Sequence, residues 1–221
     1  SKFRKVSKVE FCDIRGEDIL GDMEKGDLTV KERIAGASII MIAIDSPALM
    51  EGKWKEGYGQ FHDNVNLPDH IHSTIMKADA FLREKQGEQP ILPKLVLFVP
   101  IKCEKYYHDG EMQKLNQAIK AGYKGLFTFL EANKEYSVAI TPILTLGDVV
   151  FNRYKTKTLA NGKEVVDTFK PGEREATLDY TPKAPLYKFR NEQGNKFSPL
   201  FCEQPLMYLL AFVLASMGKL D

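Results

Sequence analysis

Two uninterrupted apolar runs constrain the fold of this 221-residue chain more than any other feature. They are Ser38–Ile44 and the stretch Leu95–Val99 of a predicted strand Lys94–Pro100, and both are rich in β-branched or large aliphatic side chains. A run that is apolar on both faces suits a strand of a parallel sheet that helices cover on both sides. Further strands are predicted over Lys5–Ile14 and Tyr136–Thr141, so we expect four parallel strands.

Most of the segments between these strands show the periodicity of helices. Apolar residues recur every three or four positions in the predicted helices, and Asp69 is a suitable N-cap for one of them. The predicted helices cover Thr29–Ala37, Asp69 to about Lys85, about Glu111 to Asn133, and Glu203–Met217. Strands that alternate with helices predict an α/β fold, with a mostly parallel sheet and helices on both faces.

The pattern changes between Asp148 and Ser198, where apolar and polar residues alternate. Asn161-Gly162 lies between two strand-like runs, which is the strongest short signal for a hairpin. We therefore expect an inserted antiparallel β-hairpin whose strands stay outside the central sheet. The predicted organisation is an α/β core over residues 1–147, this insertion over 148–198, and a C-terminal segment over 199–221 whose helix packs back on the core.

Composition narrows the classes of function. The chain has 31 Lys and Arg against 30 Asp and Glu, which argues against a general electrostatic nucleic-acid binder. No apolar run approaches the roughly 18–20 residues needed to span a bilayer. The cysteines are few, odd in number and widely spaced, as in proteins of a reducing compartment. We expect a cytoplasmic protein with no membrane span and no nucleic-acid partner.

Two strand ends carry side chains suited to nucleotide chemistry. Asp13 ends the first predicted strand, and Gly16 follows three residues later. A carboxylate in this position can hold Mg²⁺ through a water, while the glycine lets its N–H approach a phosphate. After the third strand, the stem of Lys102 can cover a purine, and Glu104 can accept two hydrogen bonds from guanine.

These segments resemble motifs of the TRAFAC-type P-loop GTPases. Asp13-Ile14-Arg15-Gly16 is similar to their DxxG switch motif, and Ile101-Lys102-Cys103-Glu104 to their NKxD base-recognition motif. Thr141 lies where the family has a short loop behind the base. The resemblance covers about Val6 to Ile143 plus the last helix, and in detail it is nearest to a bacterial group of double-GTPase-like domains.

The resemblance implies roles for these residues. Asp13 would hold Mg²⁺, Gly16 would sense the γ-phosphate, and Glu17 stands where the family has its water-positioning glutamine. Lys102, Glu104 and Thr141 would bind the base. Ile101 replaces the family's asparagine, so a side chain that braces the loop is lost, and Glu104 replaces the family's aspartate with a side chain one methylene longer.

The phosphate cradle GxxxxGK(S/T) is missing from the 221 residues. The resemblance implies that this cradle precedes Ser1, and that its strand lies between the strands ending at Asp13 and Asp45. We therefore expect an incomplete P-loop GTPase-like fold, either as a piece of a longer protein or with another segment filling the gap.

The expected function is that of a GTPase-like nucleotide-binding or switch domain. It would use GTP and Mg²⁺, and hydrolyse GTP, only with an upstream phosphate cradle, and this chain alone is expected to bind no cofactor. One alternative is a non-catalytic scaffold that binds a protein partner through residues 148–198. Another is an unrelated α/β hydrolase with metal-binding carboxylates at Asp13 and Asp45.

Overall fold

A computed structural model describes residues 11–14, 19, 28–51, 61–167, 187–191 and 198–218. Its centre is a three-stranded parallel sheet in the order β1–β2–β3. The strands are β1 Ile39–Asp45, β2 Lys94–Ile101 and β3 Tyr136–Ile140. The α/β class and the parallel direction of these three predicted strands are confirmed.

The fourth predicted strand, Lys5–Ile14, does not join this sheet in the part that is described. Residues 5–10 lie outside the described residues, and Phe11–Ile14 have no strand structure. Ile14 packs against the main hydrophobic core. Among the described strands β1 is therefore an edge strand rather than an inner one.

Eight helices are described around this sheet. They are α1 Leu28–Gly36, α2 Ser46–Met50, α3 Phe61–Val65, α4 Pro68–Gln86, α5 Glu104–His108, α6 Met112–Gly122, α7 Lys124–Ala132 and α8 Gln204–Met217. The predicted helices near residues 29–37 and 203–217 are confirmed as α1 and α8. The segments 52–66 and 102–110, which have no helical period, contain the short helices α3 and α5.

Two helix boundaries differ from the sequence prediction. The long helix over 111–133 is divided at Tyr123, which is 2% exposed and donates a hydrogen bond from its hydroxyl to Asn66 O at 3.2 Å. The prediction that Asp69 caps α4 is wrong. The N-cap is Leu67, which has a left-handed backbone (φ 48°), and Pro68 supplies the first helical residue with a pre-set φ.

The two faces of the sheet are covered unequally. On one face Ile42, Val96 and Phe98 pack against apolar residues of α1, α4, α6 and α7, which together form the main core. On the other face Leu95, Leu97 and Val99 contact Phe212 of α8. This second face is the less completely covered one, since Met41 of β1 is 46% exposed.

The predicted insertion consists of antiparallel strand pairs outside the central sheet. β5 Thr156–Thr158 pairs with β6 Glu164–Val166, and β4 Val149–Tyr154 pairs with β7 Tyr187–Asn191. Asn161 and Gly162 lie in the β5–β6 connection, where Gly162 has a φ of +77°. The hairpin prediction is confirmed. Across the described ranges, no helix combines the length and apolar character needed to cross a membrane.

Candidate functional site

The carboxyl ends of β1 and β2 bring a carboxylate and an amine together. Asp45 is the last residue of β1, and Lys102 directly follows β2. Lys102 Nζ lies 2.6 Å from Asp45 Oδ2, with the Asp45 side chain 9% exposed and the Lys102 side chain 30% exposed. Parallel strands share a carboxyl end, and for this reason Asp45 and Lys102 emerge at the same edge of the sheet.

The backbone of Lys102 adopts an uncommon conformation. Its φ is +53°, in the left-handed region that costs a residue with a side chain about 1–2 kcal/mol. Strain of this kind persists where surrounding contacts hold it, and it concentrates at functional sites. The ion pair to Asp45 is one contact that holds the Lys102 side chain.

The amide of Asn66 binds the backbone of Asp45 from the side opposite β2. Asp45 N donates to Asn66 Oδ1 at 2.7 Å, and Asn66 Nδ2 donates to Asp45 O at 3.1 Å. One side chain thus satisfies both main-chain groups, as a neighbouring strand would. In addition, Ala48 N donates to Asp45 Oδ1 at 3.0 Å, which makes Asp45 the N-cap of α2.

His62 contacts the side-chain amide of Asn66 and helps to hold it in place. Its Nδ1 lies 3.0 Å from Asn66 Nδ2, and its Nε2 lies 3.4 Å from Gly122 O. These partners suit a neutral ring that accepts at Nδ1 and donates from Nε2. Burial lowers the pKa of His62, which favours the same neutral form. A Cβ on Gly122 would lie 2.7 Å from His62 Nε2, so the close approach requires glycine.

A second ion pair is formed by residues that follow the first pair closely along the chain. Lys105 Nζ lies 2.6 Å from Glu51 Oε1, and the Tyr106 hydroxyl donates to the same oxygen at 3.4 Å. Burial raises the pKa of Tyr106, so its hydroxyl keeps the proton that it donates. We call Asp45, Glu51, Lys102, Lys105 and Tyr106 the carboxyl-edge cluster. Glu51 and Lys105 are 54 residues apart, and no motif in the sequence links them.

Glu104, predicted to read a base, is oriented toward the interior. It is 1% exposed, and its Oε1 accepts from Leu146 N at 2.6 Å and from Thr145 Oγ1 at 3.5 Å. Its Oε2 is buried with no hydrogen-bond partner in the described residues. Burial raises the pKa of Glu104, with the hydrogen bond from Leu146 opposing the shift. In this conformation Glu104 anchors the loop after β3.

Thr141 is also inside the protein rather than beside Lys102. It is fully buried, and its hydroxyl donates to Gln204 Oε1 at 3.3 Å. Its main-chain N donates to Phe98 O at 2.9 Å, which continues the β2–β3 ladder. The three residues predicted to contact the base therefore follow neighbouring strands, but only Lys102 presents its functional group at the carboxyl edge.

The predicted phosphate and metal residues are only partly described. Asp13 is exposed in a segment without helix or strand, while Gly16 and Glu17 lie outside the described residues. Within the described ranges, no group of three or more His, Cys, Asp or Glu side chains is arranged to hold a metal ion. The nearby Cys12 Sγ lies 3.6 Å from Arg33 Nη1 on α1.

No family model, curated protein or solved structure matches this chain. The class that the fold defines is an α/β protein with a three-stranded parallel sheet and separate antiparallel strand pairs.

Proposed function

We propose that this chain is a GTPase-like nucleotide-binding and switch domain that takes its phosphate-binding loop from a preceding segment. The observation that supports this most is the Asp45–Lys102 ion pair, which joins the carboxyl ends of two adjacent parallel strands. Ligands of open α/β sheets bind outside the carboxyl ends of the strands. The carboxyl-edge cluster adds a second lysine and a second carboxylate at that edge.

In this proposal each predicted residue has a separate task. Asp13 would hold Mg²⁺, the Gly16 N–H would contact the γ-phosphate, and Glu17 would begin the switch segment. Lys102 leaves Asp45 and covers one face of the base with its stem. The phosphoryl transfer is then a matter of positioning and electrostatics, as in other enzymes of this kind.

Reading the base with Glu104 requires a rearrangement. Its carboxylate would have to leave Leu146 N, and a hydrogen bond to a charged group contributes about 1.5–3 kcal/mol. Because the cradle that supplies most of the phosphate affinity is absent from these 221 residues, the chain by itself is expected to bind GTP weakly or not at all. Guanine selectivity would arise only in a longer protein that offsets this cost.

Calorimetric titration with GTP and with ATP in the presence of Mg²⁺ tests the proposal. The 221-residue chain and a longer protein that includes the preceding segment are compared. The longer protein should bind GTP, and Glu104→Ala should weaken GTP more than ATP. Glu131→Ala, an exposed glutamate on α7, is the matched control and should change neither.

Two outcomes would count against this function. Tight GTP binding by the 221-residue chain would overturn the role given to the missing cradle. Absence of GTP binding by the longer protein would remove the nucleotide-binding function itself.

A non-catalytic scaffold that binds a protein partner is the second candidate. It is favoured by the buried Glu104 and by the large apolar side chains exposed on α8. Leu206, Met207, Leu210 and Leu214 are each more than half exposed. Exposed apolar surface of this kind marks protein interaction sites. In the same titrations, this candidate predicts no heat from either nucleotide with either protein.

A further inference from the structure

The short helix α2 lies between the carboxyl edge of the sheet and the inserted strands. Its first three residues, Ser46, Pro47 and Ala48, are buried, and Ala48 belongs to a second hydrophobic cluster that includes side chains of α3 and of the insertion. The cluster consists of Ala48, Phe61, Phe151, Tyr154 and Val166. A helix of five residues has few hydrogen bonds of its own, so its conformation depends on the groups that hold its ends and its buried face.

Both ends of α2 are held by the carboxyl-edge cluster. At the N-terminus, Asp45 caps the helix through Oδ1 and accepts a hydrogen bond from Lys102 through Oδ2. At the C-terminus, the C-cap residue Glu51 accepts from Lys105 and from the Tyr106 hydroxyl. The two lysines are close together in the chain, so one short stretch after β2 holds both ends of the helix.

The insertion is anchored on the same helix. The Tyr154 hydroxyl of β4 donates to Pro47 O at 3.0 Å, although the two residues are 107 positions apart. The centroid of the Tyr154 ring lies 4.9 Å from that of Phe61 on α3 and 5.4 Å from that of Phe151. Glu51 N donates to the same oxygen of Pro47. A movement of the first turn of α2 therefore displaces both its C-cap and the anchor of β4.

We propose that α2 couples the carboxyl edge to the insertion, so that separation of Lys102 from Asp45 weakens the docking of β4, β5 and β6 on the core. The Asp45 side chain is 9% exposed, and a buried carboxylate that loses an ammonium partner favours a conformation in which water reaches it. Such a conformation takes Oδ1 away from Ala48 N. Because α2 is too short to stay helical without its cap, the surface on which Tyr154 packs is lost with it.

This coupling makes the insertion the element that responds to the state of the carboxyl edge. A ligand that draws Lys102 away from Asp45 would loosen the insertion, and a ligand can shift such an equilibrium only by its different affinities for the two states. That a nucleotide is this ligand rests on the proposed function. The coupling itself depends on contacts within the chain, so it can be measured without any ligand.

The first test is hydrogen exchange of the 221-residue chain, measured at single amides by nuclear magnetic resonance. Lys102→Met removes the ion pair to Asp45 and keeps an unbranched side chain. The amides of Ala48 and of the paired residues of β4, β5 and β6 should accelerate at least about tenfold more than those at the centre of β2, because local opening exposes the former and global unfolding the latter. Lys85→Met removes a 3.6 Å ion pair to Glu32 and is the matched control, which should accelerate neither set selectively.

The second test starts from the insertion, since coupling between two sites is reciprocal. Tyr154→Phe removes the hydroxyl that binds Pro47 O and keeps the ring. The Lys102 amine, whose side chain is 30% exposed in its ion pair, should then be acylated by an N-hydroxysuccinimide ester at least about threefold faster, as mass spectrometry after brief labelling would show. Tyr136→Phe removes a hydroxyl that donates to Asp79 Oδ1 at 2.9 Å, and this matched control should leave the labelling of Lys102 unchanged.

Three results would overturn the proposal. One is equal acceleration of the insertion and of the centre of β2 in Lys102→Met, which is a loss of global stability without coupling. Another is unchanged exchange of the insertion amides in that variant. The third is unchanged labelling of Lys102 in Tyr154→Phe. The two tests use different variants, so failure of one variant to fold leaves the other test decisive. None of these measurements involves a nucleotide, so failure of the coupling is distinguishable from failure of the proposed function.

Discussion

Asn66 should be a major determinant of stability although it lies outside every helix and strand. The change is Asn66→Ala. It removes the partner of Asp45 N–H, the partner of Asp45 C=O and the donor to His62 Nδ1. Asp45 is 7% exposed and Asn66 is 4% exposed, so water replaces these bonds only in part.

The expected loss follows from the two main-chain groups. A buried donor or acceptor left without a partner costs about 1–3 kcal/mol, so the two groups together should lower the free energy of unfolding of Asn66→Ala by about 2–6 kcal/mol. That is a large fraction of the roughly 5–15 kcal/mol available to a protein of ordinary stability. Urea denaturation at neutral pH, followed by circular dichroism, measures the change.

Two further variants sharpen this test. Asn64→Ala, an exposed asparagine two positions earlier, is the matched control and should change stability by less than about 0.5 kcal/mol. Asn66→Asp keeps the acceptor for Asp45 N–H but loses the donor, and it recovers a donor only when its carboxyl is protonated. Burial beside Asp45 would raise the pKa of the new carboxyl above its ordinary value, so its deficit should shrink as the pH falls toward about 4. Equal stability of Asn66→Ala and Asn64→Ala would refute the reasoning.

Three more predictions concern buried groups. Burial raises the pKa of Glu104 above its ordinary value of 4.5, so the folded protein binds this proton more tightly than the unfolded chain and loses stability as the pH rises above about 4.5. The stability of Glu104→Gln relative to wild type should therefore increase from pH 4 to pH 7 in denaturation curves. A stability difference that does not change with pH would contradict this. Burial raises the pKa of Cys103 to about 12, so iodoacetamide at pH 8 should label the two exposed cysteines of the native protein and spare Cys103, as mass spectrometry would show; equal labelling would exclude a buried thiol. Gly122→Ala should destabilise by about 1–3 kcal/mol, because its Cβ would meet His62 Nε2 at 2.7 Å, whereas Gly36→Ala, where nothing lies within 4 Å, should not; thermal unfolding compares the two.

The sequence by itself determined the parallel sheet and the hairpin. Ser38–Ile44 and Leu95–Val99 carry apolar residues on both faces, a pattern that favours strands of a parallel sheet with helices on both sides. Asn161-Gly162 identified its turn because few residues adopt a positive φ without cost. In each case the signal is local, so it could be interpreted without knowing what the segment contacts.

Tertiary structure alone decided how the carboxyl edge is organised. The sequence predicts that Asp45 and Lys102 follow adjacent strands. It does not predict the left-handed backbone of Lys102, since that conformation is typical of glycine, nor the burial of Glu104 two positions later. The amide of Asn66 reaches Asp45 across 21 residues, and Lys105 reaches Glu51 across 54. Such partners have no spacing rule, because the folded path of the chain rather than its local pattern sets the distance between them.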